Sequence, residues 1–170
     1  MESPMDEGIY LAQAIKQGKA LAVSDGSYKA STNNATAAFL LEGLDKEHCR
    51  IFGNNRTPGK SKSLSSFRAE LGGIASIILV VTSIITYHKV KLGKLKLGLD
   101  NKAAIGQIEM STVLSPQAKS VDLVMDIRRK ITKLPIVVEF FWIKGHAAET
   151  LGSETYEQYL NCLCNEKEKT

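Results

Sequence analysis

Cysteine is scarce in this chain, and its scarcity argues against a small protein stabilised by disulfides or by a cysteine-ligated zinc ion. The three cysteines are too few for a disulfide framework, and no Cys-x-x-Cys pair or Cys/His cluster occurs at zinc-site spacing. We therefore expect reduced thiols that pack as small apolar groups, in an intracellular compartment, cytoplasmic or nuclear. The N-terminus carries Glu2, Asp6 and Glu7 and lacks an apolar segment followed by a cleavage site, so we expect no secretory signal.

Long apolar runs are also few. Residues 71–87 contain no charged residue, but this stretch is 17 residues long and includes Gly72, Gly73, Ser76 and Thr82. A membrane span needs about 20 predominantly apolar residues. We interpret the stretch as a helix buried in a protein core and expect no membrane partner.

Strong charge of either sign is absent. The net charge of +4 permits a polyanionic partner without demanding one. The length of 170 residues suits one core, and neither an internal repeat nor an interdomain linker is visible. We expect an N-terminal helical extension at 1–18 and one domain at 19–170, and we favour a monomer.

The spacing of apolar residues predicts a mixed α/β fold. After a leading helix the predicted order is βββαβαβα, which indicates an antiparallel meander followed by further strands, with helices packed on the sheet faces. The tripeptide Asp25-Gly26-Ser27 is interpreted as a turn. The expected elements are a helix at 8–17, strands at 20–23, 35–41 and 49–52, a loop at 53–66, a helix at 67–88, a strand at 95–99, a helix at 103–109, a helix from Ser115-Pro116 to Pro135, a largely buried strand at 136–142 and a helix from 154.

Three acids stand at expected boundaries of these elements. Asp25 is expected to end the first strand, Glu70 to lie in the first turn of the long helix, and Asp100 to end the fourth strand. Taken singly, each has an ordinary explanation as a turn residue, a helix-dipole partner or a cap. Brought together, they would repel one another unless cations neutralise them, and hard oxygen ligands select Mg²⁺ or Mn²⁺. Two such ions can support in-line attack on a phosphodiester.

The residues around these acids favour a shared metal site over three separate structural roles. The segments Val23-Ser24-Asp25-Gly26-Ser27, Phe67-Arg68-Ala69-Glu70-Leu71, Leu99-Asp100-Asn101 and Trp142-Ile143-Lys144-Gly145-His146 resemble the successive motifs of type 1 ribonucleases H, in the family's order. The resemblance covers about residues 18–165, and the Trp-x-Lys-Gly-His segment is its most specific part. These motifs are also similar to those of ribonuclease H domains found in retroelements.

This resemblance implies a ribonuclease H-like fold: a five-stranded mixed sheet, with three antiparallel and then parallel strands, and helices on both faces. It implies divalent-metal-dependent endonucleolytic cleavage of the RNA strand of RNA/DNA hybrids, with two Mg²⁺ or Mn²⁺ ions expected when substrate is bound. Asp25, Glu70 and Asp100 match three of the family's four metal-binding acids. His146 matches a histidine that assists proton transfer or product release, a role that suits the pKa of histidine.

The chain departs from the family at the fourth acid. The family has an aspartate early in the last helix, and the aligned residue here is Glu157. Glutamate keeps the charge and the ligating oxygens but reaches one methylene further. Glu157 is therefore the expected fourth catalytic and metal-binding acid. Glu154, one turn earlier, is the alternative, and without either acid the chain would be slow or inactive.

Substrate contacts follow from charge and from the resemblance. Arg56, Lys60, Lys62 and Arg68 cluster at the loop before the long helix, where cations would meet a phosphate backbone. The resemblance assigns phosphate and minor-groove contacts to Ser65 and Ser66, and contacts to the 2′-hydroxyl to Gly26, Ser27 and Asn101. The aromatic residues are expected mostly in the core, with no stacking role for Trp142.

Two other functions remain open from the sequence. One is a catalytically inactive domain of the same fold that binds nucleic acid or is only structural. The other is a different nuclease of the ribonuclease H fold, such as a transposase or integrase, although these enzymes rarely carry the Trp-Ile-Lys-Gly-His segment.

Overall fold

The computed structural model describes residues 4–43, 49–110, 113–144 and 155–168, and describes side chains between residues 8 and 166 of these ranges. Five helices and five strands make up this part of the chain, together with a short 3₁₀ helix at Ser61–Ser63. In chain order they are α1 (Pro4–Lys16), β1 (Ala20–Lys29), β2 (Asn34–Glu42), β3 (Arg50–Arg56), α2 (Ser66–Tyr87), β4 (Lys94–Leu99), α3 (Lys102–Glu109), α4 (Val121–Lys133), β5 (Val137–Trp142) and α5 (Tyr156–Glu168).

The five strands form one mixed sheet in the order β3-β2-β1-β4-β5. Strands β1, β2 and β3 are antiparallel neighbours, whereas β4 pairs parallel to β1 and β5 pairs parallel to β4. The predicted fold class, with three antiparallel strands followed by parallel ones, is confirmed.

Helices cover both faces of this sheet, as predicted. The main core gathers apolar residues of α1, α2, α3 and α4 against one face. A smaller cluster lies on the other face, where Leu160 and Cys164 of α5 pack against Val23, Ala38 and Leu40. Strand β1 is therefore buried from both sides, and polar groups on it are held in a protected environment.

Helix α2 is the apolar helix that the sequence predicted, and it packs in the core. Ser65 is its N-cap, with Oγ accepting a hydrogen bond from the backbone N–H of Arg68 at 3.1 Å. By length and composition α2 could also cross a membrane, but 56% of its most apolar window is buried within the protein. Gly73 lies so close to β1 that an added Cβ would be 2.9 Å from the Cβ of Ser24.

Helix α1 shares the main core with the sheet. Leu11, Ala14 and Ile15 are fully buried there. The helix ends at Lys16. Gly18 follows with a φ of +69°, and Lys19 N–H donates to the carbonyl of Ala14 at 2.9 Å. The predicted boundary between an extension at 1–18 and a domain at 19–170 stays a prediction.

Two loop predictions were wrong because strand pairing continues through them. Asp25-Gly26-Ser27 is not a turn: β1 runs on to Lys29, which pairs with Asn34 at the end of the hairpin. Similarly, residues 53–56 belong to β3, where Arg56 pairs with Thr36. Both segments are rich in turn-forming residues, and tertiary pairing overrides that local preference.

Two predictions in the second half of the chain were also wrong. Helix α4 begins at Val121, after Ser120 in a left-handed conformation with φ of +55°, and not at Ser115-Pro116. Strand β5 is an edge strand rather than a largely buried one, and Val137 is 63% exposed. Its apolar run has the composition of a central strand, so only the strand order distinguishes the two cases.

One ion pair fixes the start of α2 against the start of α4. Arg68 is 4% exposed, and its Nη1 and Nη2 donate to the two carboxylate oxygens of Asp122 at 2.8 and 2.7 Å. Its Nε donates to the carbonyl of Pro58 at 2.6 Å. The hydrogen bond from Arg68 holds the pKa of Asp122 below its usual value.

We predict that Asp122→Asn destabilises the fold by about 2 kcal/mol, because it leaves the buried Arg68 guanidinium without its counter-charge. The loss is smaller than for a fully buried pair, since the Asp122 side chain is 67% exposed. Urea unfolding followed by circular dichroism measures it. Asp126→Asn is the control, because Asp126 pairs with the exposed Arg129 and Lys130, and its loss is expected to cost about 0.5 kcal/mol or less.

The same pair sets an acid dependence. The pKa of Asp122 is lowered on folding, so its contribution is present above the unfolded pKa of about 3.9 and is lost as pH falls through the folded value. The stability difference between the parent and Asp122→Asn should therefore shrink below about pH 4. Equal stability of the two Asn variants at pH 7 would contradict this account.

Candidate metal centre

Two of the three predicted acids lie at the same level of neighbouring parallel strands, Asp25 within β1 and Asp100 immediately after β4. Val23 of β1 pairs with Gly98 of β4, and Asp25 and Asp100 each follow two residues later. Asp25 lies within β1, opposite Ala38 of β2, and not at a strand end as predicted. Strand β4 ends at Leu99 while β1 continues to Lys29, so the two acids lie where the pairing between these strands stops.

The third acid comes from α2. Glu70 lies in the second turn of this helix and not in the first as predicted, since α2 begins at Ser66. At Gly26 an added Cβ would lie 2.4 Å from the backbone N of Glu70 and 2.5 Å from the carbonyl carbon of Ala69. Glycine at this position allows the backbones of β1 and α2 to touch, and the contact places Glu70 beside Asp25.

The three side chains form one compact group. A carboxylate oxygen from each of Asp25, Glu70 and Asp100 lies within 4.8 Å of the others. Asp25 is 7% and Glu70 is 6% exposed, and Asp100 is partly exposed. Like charges this close and this buried disfavour ionisation unless a cation is shared. An all-oxygen anionic donor set, open on the Asp100 side, fits Mg²⁺ or Mn²⁺.

Trp142 has a position that the sequence did not predict. It ends β5 opposite Leu99, and its indole Nε1–H donates to the backbone carbonyl of Asp100 at 2.9 Å. Lys102 Nζ lies 3.9 Å from the centroid of the Trp142 ring. Trp142 is 45% exposed, so the expectation of a core residue was wrong. This hydrogen bond fixes the backbone that carries the Asp100 carboxylate.

Cys164 of α5 contacts β1 at Val23, two residues before Asp25. It is fully buried, and its thiol donates to the carbonyl of Val23 at 3.6 Å. Burial, and secondarily the charge of Asp25, raises the pKa of the Cys164 thiol to about 12. The thiol is therefore protonated at neutral pH and packs as a small apolar group.

The predicted fourth acid, Glu157, is not part of this group. Among the described residues, the acids that meet within 4.8 Å are Asp25, Glu70 and Asp100. Glu157, in the first turn of α5, is partly buried and lines a cleft of about 270 Å³ together with Trp142 and Lys144. Its role as a ligand stays a prediction.

Two other candidates cannot be placed. His146 and the alternative acid Glu154 fall outside the described residues. Their predicted roles rest on the sequence alone.

Two of the expected substrate-binding residues are helix caps. Ser65 caps α2, and Asn101 caps α3, with its Oδ1 accepting from the backbone N–H of Ala104 at 3.0 Å. Both side chains therefore have a structural role at a helix start that adjoins an acid. Ser66 opens α2 and is exposed, while Gly26 and Ser27 follow Asp25 in β1. Their contacts with substrate stay predictions.

The basic residues divide into two groups. Arg56 ends β3, Lys60 and Lys62 lie in the loop before α2, and all three are exposed. Arg68 was expected to join them, but it is buried against Asp122. It ties the loop to the fold and does not offer a free cation to a phosphate backbone.

We predict that Gly26→Ala destabilises the fold by about 2–3 kcal/mol and displaces α2, because the new methyl group meets backbone atoms that cannot rotate away. Urea unfolding measures the loss. Gly106→Ala is the matched control: its Cβ would meet nothing within 4 Å, and alanine within α3 is expected to be neutral or stabilising by up to about 1 kcal/mol. If Gly26→Ala is as stable as the parent, the contact does not constrain α2.

Comparison with known proteins gives a fold. No family model and no curated sequence matches the chain. Solved structures do match. Ribonuclease H1 from the archaeon Halobacterium salinarum aligns with a TM-score of 0.57 at 13% identity, over 76% of this chain and 89% of that chain. The N-terminal ribonuclease H domain of a Mycobacterium tuberculosis protein, solved as a fusion with maltose-binding protein, aligns with a TM-score of 0.56 at 12% identity, over 88% and 93%.

A third neighbour has a different active-site motif. LC9-RNase H1, described as a type 1 ribonuclease H with the type 2 active-site motif, aligns with a TM-score of 0.61 at 14% identity, over 88% of this chain and 72% of that chain. Identities this low establish architecture and not activity. The chain has a type 1 ribonuclease H-like fold, as the motifs in its sequence indicated.

Proposed function

We propose that this protein is a divalent-metal-dependent endonuclease that hydrolyses the RNA strand of RNA/DNA hybrids. The observation that carries the proposal is the convergence of Asp25, Glu70 and Asp100 within 4.8 Å, from three separate elements of a ribonuclease H-like fold. Three carboxylates brought to one point repel one another. A shared cation, and through it a phosphodiester, gives them a common purpose.

Each residue then has a defined task. Asp25, Glu70 and Asp100 would hold Mg²⁺ or Mn²⁺, which when bound supplies an activated water and neutralises charge on the phosphate. Trp142 keeps the backbone at Asp100 in place. Glu157, which lines a cleft together with Trp142, is proposed as the fourth ligand. His146 is proposed to move a proton or assist product release.

Substrate recognition needs two kinds of contact. Arg56, Lys60 and Lys62 offer exposed charge for a phosphate backbone. The strand segment Gly26-Ser27 and the side chain of Asn101 flank the acids, where they would meet the 2′-hydroxyls displayed in a wide minor groove. These contacts would place RNA, rather than DNA, over the metal-binding group.

We predict that Mn²⁺ and Mg²⁺ each change the intrinsic fluorescence of the protein in a saturable way. Trp142 is the only tryptophan, and its indole is hydrogen-bonded to Asp100. An ion bound at Asp100 therefore alters the surroundings of the fluorophore. The change should disappear in Glu70→Gln and persist in Glu109→Gln, whose exposed side chain lies at the end of α3. A parent protein that gives no saturable change would contradict the metal site.

We predict that the protein cuts the RNA strand of a labelled RNA/DNA hybrid in Mg²⁺ or Mn²⁺. Glu70→Gln, which keeps the side-chain size and removes the charge, should lower the rate by more than the roughly 100-fold that loss of an outer-shell partner can cost. Glu157→Gln should be strongly slowed, whereas Glu109→Gln should match the parent. If Glu157→Gln is as fast as the parent, the assignment of the fourth acid is wrong.

The alternatives predict other outcomes of the same assay. A non-catalytic domain would bind the hybrid and Mn²⁺ without cutting in either metal. A transposase-like or integrase-like enzyme would cut duplex DNA that contains no RNA. Duplex DNA and duplex RNA of the same sequence are therefore included as substrates.

A further inference from the structure

We propose that Tyr156, held by the buried Glu42–Arg50 ion pair, is a positioning residue that fixes the first turn of α5 and thereby aims Glu157 at the acidic group. This inference rests on the proposed function. It concerns a polar network that lies outside the three-acid group and that the metal-binding roles above do not use.

The network begins with an acid that the sheet buries. Glu42, the last residue of β2, is 2% exposed and pairs in register with Arg50, the first residue of β3. Arg50 Nε donates to Glu42 Oε1 at 2.6 Å, and Arg50 Nη2 contacts the same oxygen. The carboxylate is thus neutralised within the sheet by its strand neighbour.

Tyr156 joins this pair from a distant part of the chain. Its hydroxyl oxygen lies 2.8 and 2.7 Å from Glu42 Oε1 and Oε2, and Arg50 Nη2 lies 3.4 Å from it. The hydroxyl has one proton and can donate to one of the two oxygens at a time. Tyr156 is the first residue of α5, so this contact attaches the start of the helix to β2 and β3.

The rest of α5 is attached by other means. Leu160 and Cys164 pack in the apolar cluster with Val23 and Leu40. Thr155 and Gln158 close the helix start reciprocally, since Thr155 N–H donates to Gln158 Oε1 at 2.8 Å and Gln158 N–H donates to Thr155 Oγ1 at 3.3 Å. The Tyr156 ring packs against the same cluster, so apolar contacts hold both the first turn and the body of the helix on the sheet. The hydrogen bonds of the Tyr156 hydroxyl add a directional constraint at the first turn.

Glu157 is the neighbour of Tyr156 in that first turn. Its side chain lines the cleft that also contains Trp142, which is bonded to the backbone of Asp100. A shift of the first turn would therefore change the distance between Glu157 and the acidic group without unfolding the helix. A buried ion pair contributes little net stability, so a role in fixing position accounts for the network better than a role in stability.

The test is a double-mutant cycle on Tyr156→Phe and Glu157→Gln, read by cleavage of an RNA/DNA hybrid across a range of Mn²⁺ concentrations. Removing the hydroxyl leaves Arg50 to neutralise Glu42, so the variant is expected to fold, and circular dichroism checks this. Tyr156→Phe should raise the Mn²⁺ concentration for half-maximal rate by about 10-fold, with the rate recovering at saturating Mn²⁺. In the Glu157→Gln background the same substitution should have no further effect, because Tyr156 acts through Glu157.

The control is Tyr159→Phe, which removes a hydroxyl from the 43% exposed tyrosine on the same helix and should match the parent. A Tyr156→Phe protein with the Mn²⁺ dependence of the parent would overturn the inference while leaving the proposed function intact. An equal effect of Tyr156→Phe in both backgrounds would also overturn it, since a general weakening of the fold acts independently of Glu157. Absence of cleavage in the parent would instead refute the proposed function. The inference would then be decided by Mn²⁺ titration of Trp142 fluorescence, in which Tyr156→Phe should weaken Mn²⁺ binding in the parent but not in the Glu157→Gln background.

Discussion

The contact on which the site depends is between two backbones, that of β1 at Gly26 and that of α2 at Ala69 and Glu70. A side chain at position 26 would overlap atoms that are fixed in the helix. With glycine there, and with Gly73 against Ser24 one turn further on, α2 lies directly on the strand. The carboxylate of Glu70 then lies beside that of Asp25. The precision of the acidic group comes from this close packing, and the apolar face of α2 in the main core maintains it.

Among the residues that the structure describes, the buried charges discussed above fall into two kinds. Arg68 with Asp122, and Arg50 with Glu42, are acid–base pairs that tie one element to another. The group of Asp25, Glu70 and Asp100 is different, because it consists of three acids with oxygens within 4.8 Å of one another. Acids collected in this way are unfavourable for folding, and such an arrangement is typical of sites where binding a cation offsets the repulsion. This contrast supports the proposal that the acidic group binds a cation.

Much of the fold could be predicted from the sequence, because the apolar spacing of α2 and β2 and the caps at Ser65 and Asn101 are local signals. The errors are places where distant residues decide the structure. Asp25-Gly26-Ser27 has the composition of a turn, yet pairing with β2 keeps it extended. The apolar run of β5 does not reveal that it is an edge strand. The sequence predicts a core position for Trp142. Its hydrogen bond to the Asp100 carbonyl depends on the register between β4 and β5, which no local pattern reveals. Locally recognisable motifs found the three acids, whereas their supporting contacts required the folded sheet.

The last helix shows why supporting contacts matter for this chain in particular. A glutamate in place of the family's aspartate has an additional rotatable bond, so its carboxylate explores a wider region for a given backbone position. A ligand with that freedom is effective only if the helix that carries it is held firmly. Apolar packing of Leu160, Cys164 and the Tyr156 ring fixes the position of α5 on the sheet, but such packing is not directional. The hydrogen bonds of the Tyr156 hydroxyl to Glu42 add a directional constraint next to Glu157. The proposed ligand Glu157 and the network beside it are therefore best considered together, since the proposed role of the network is to position that acid.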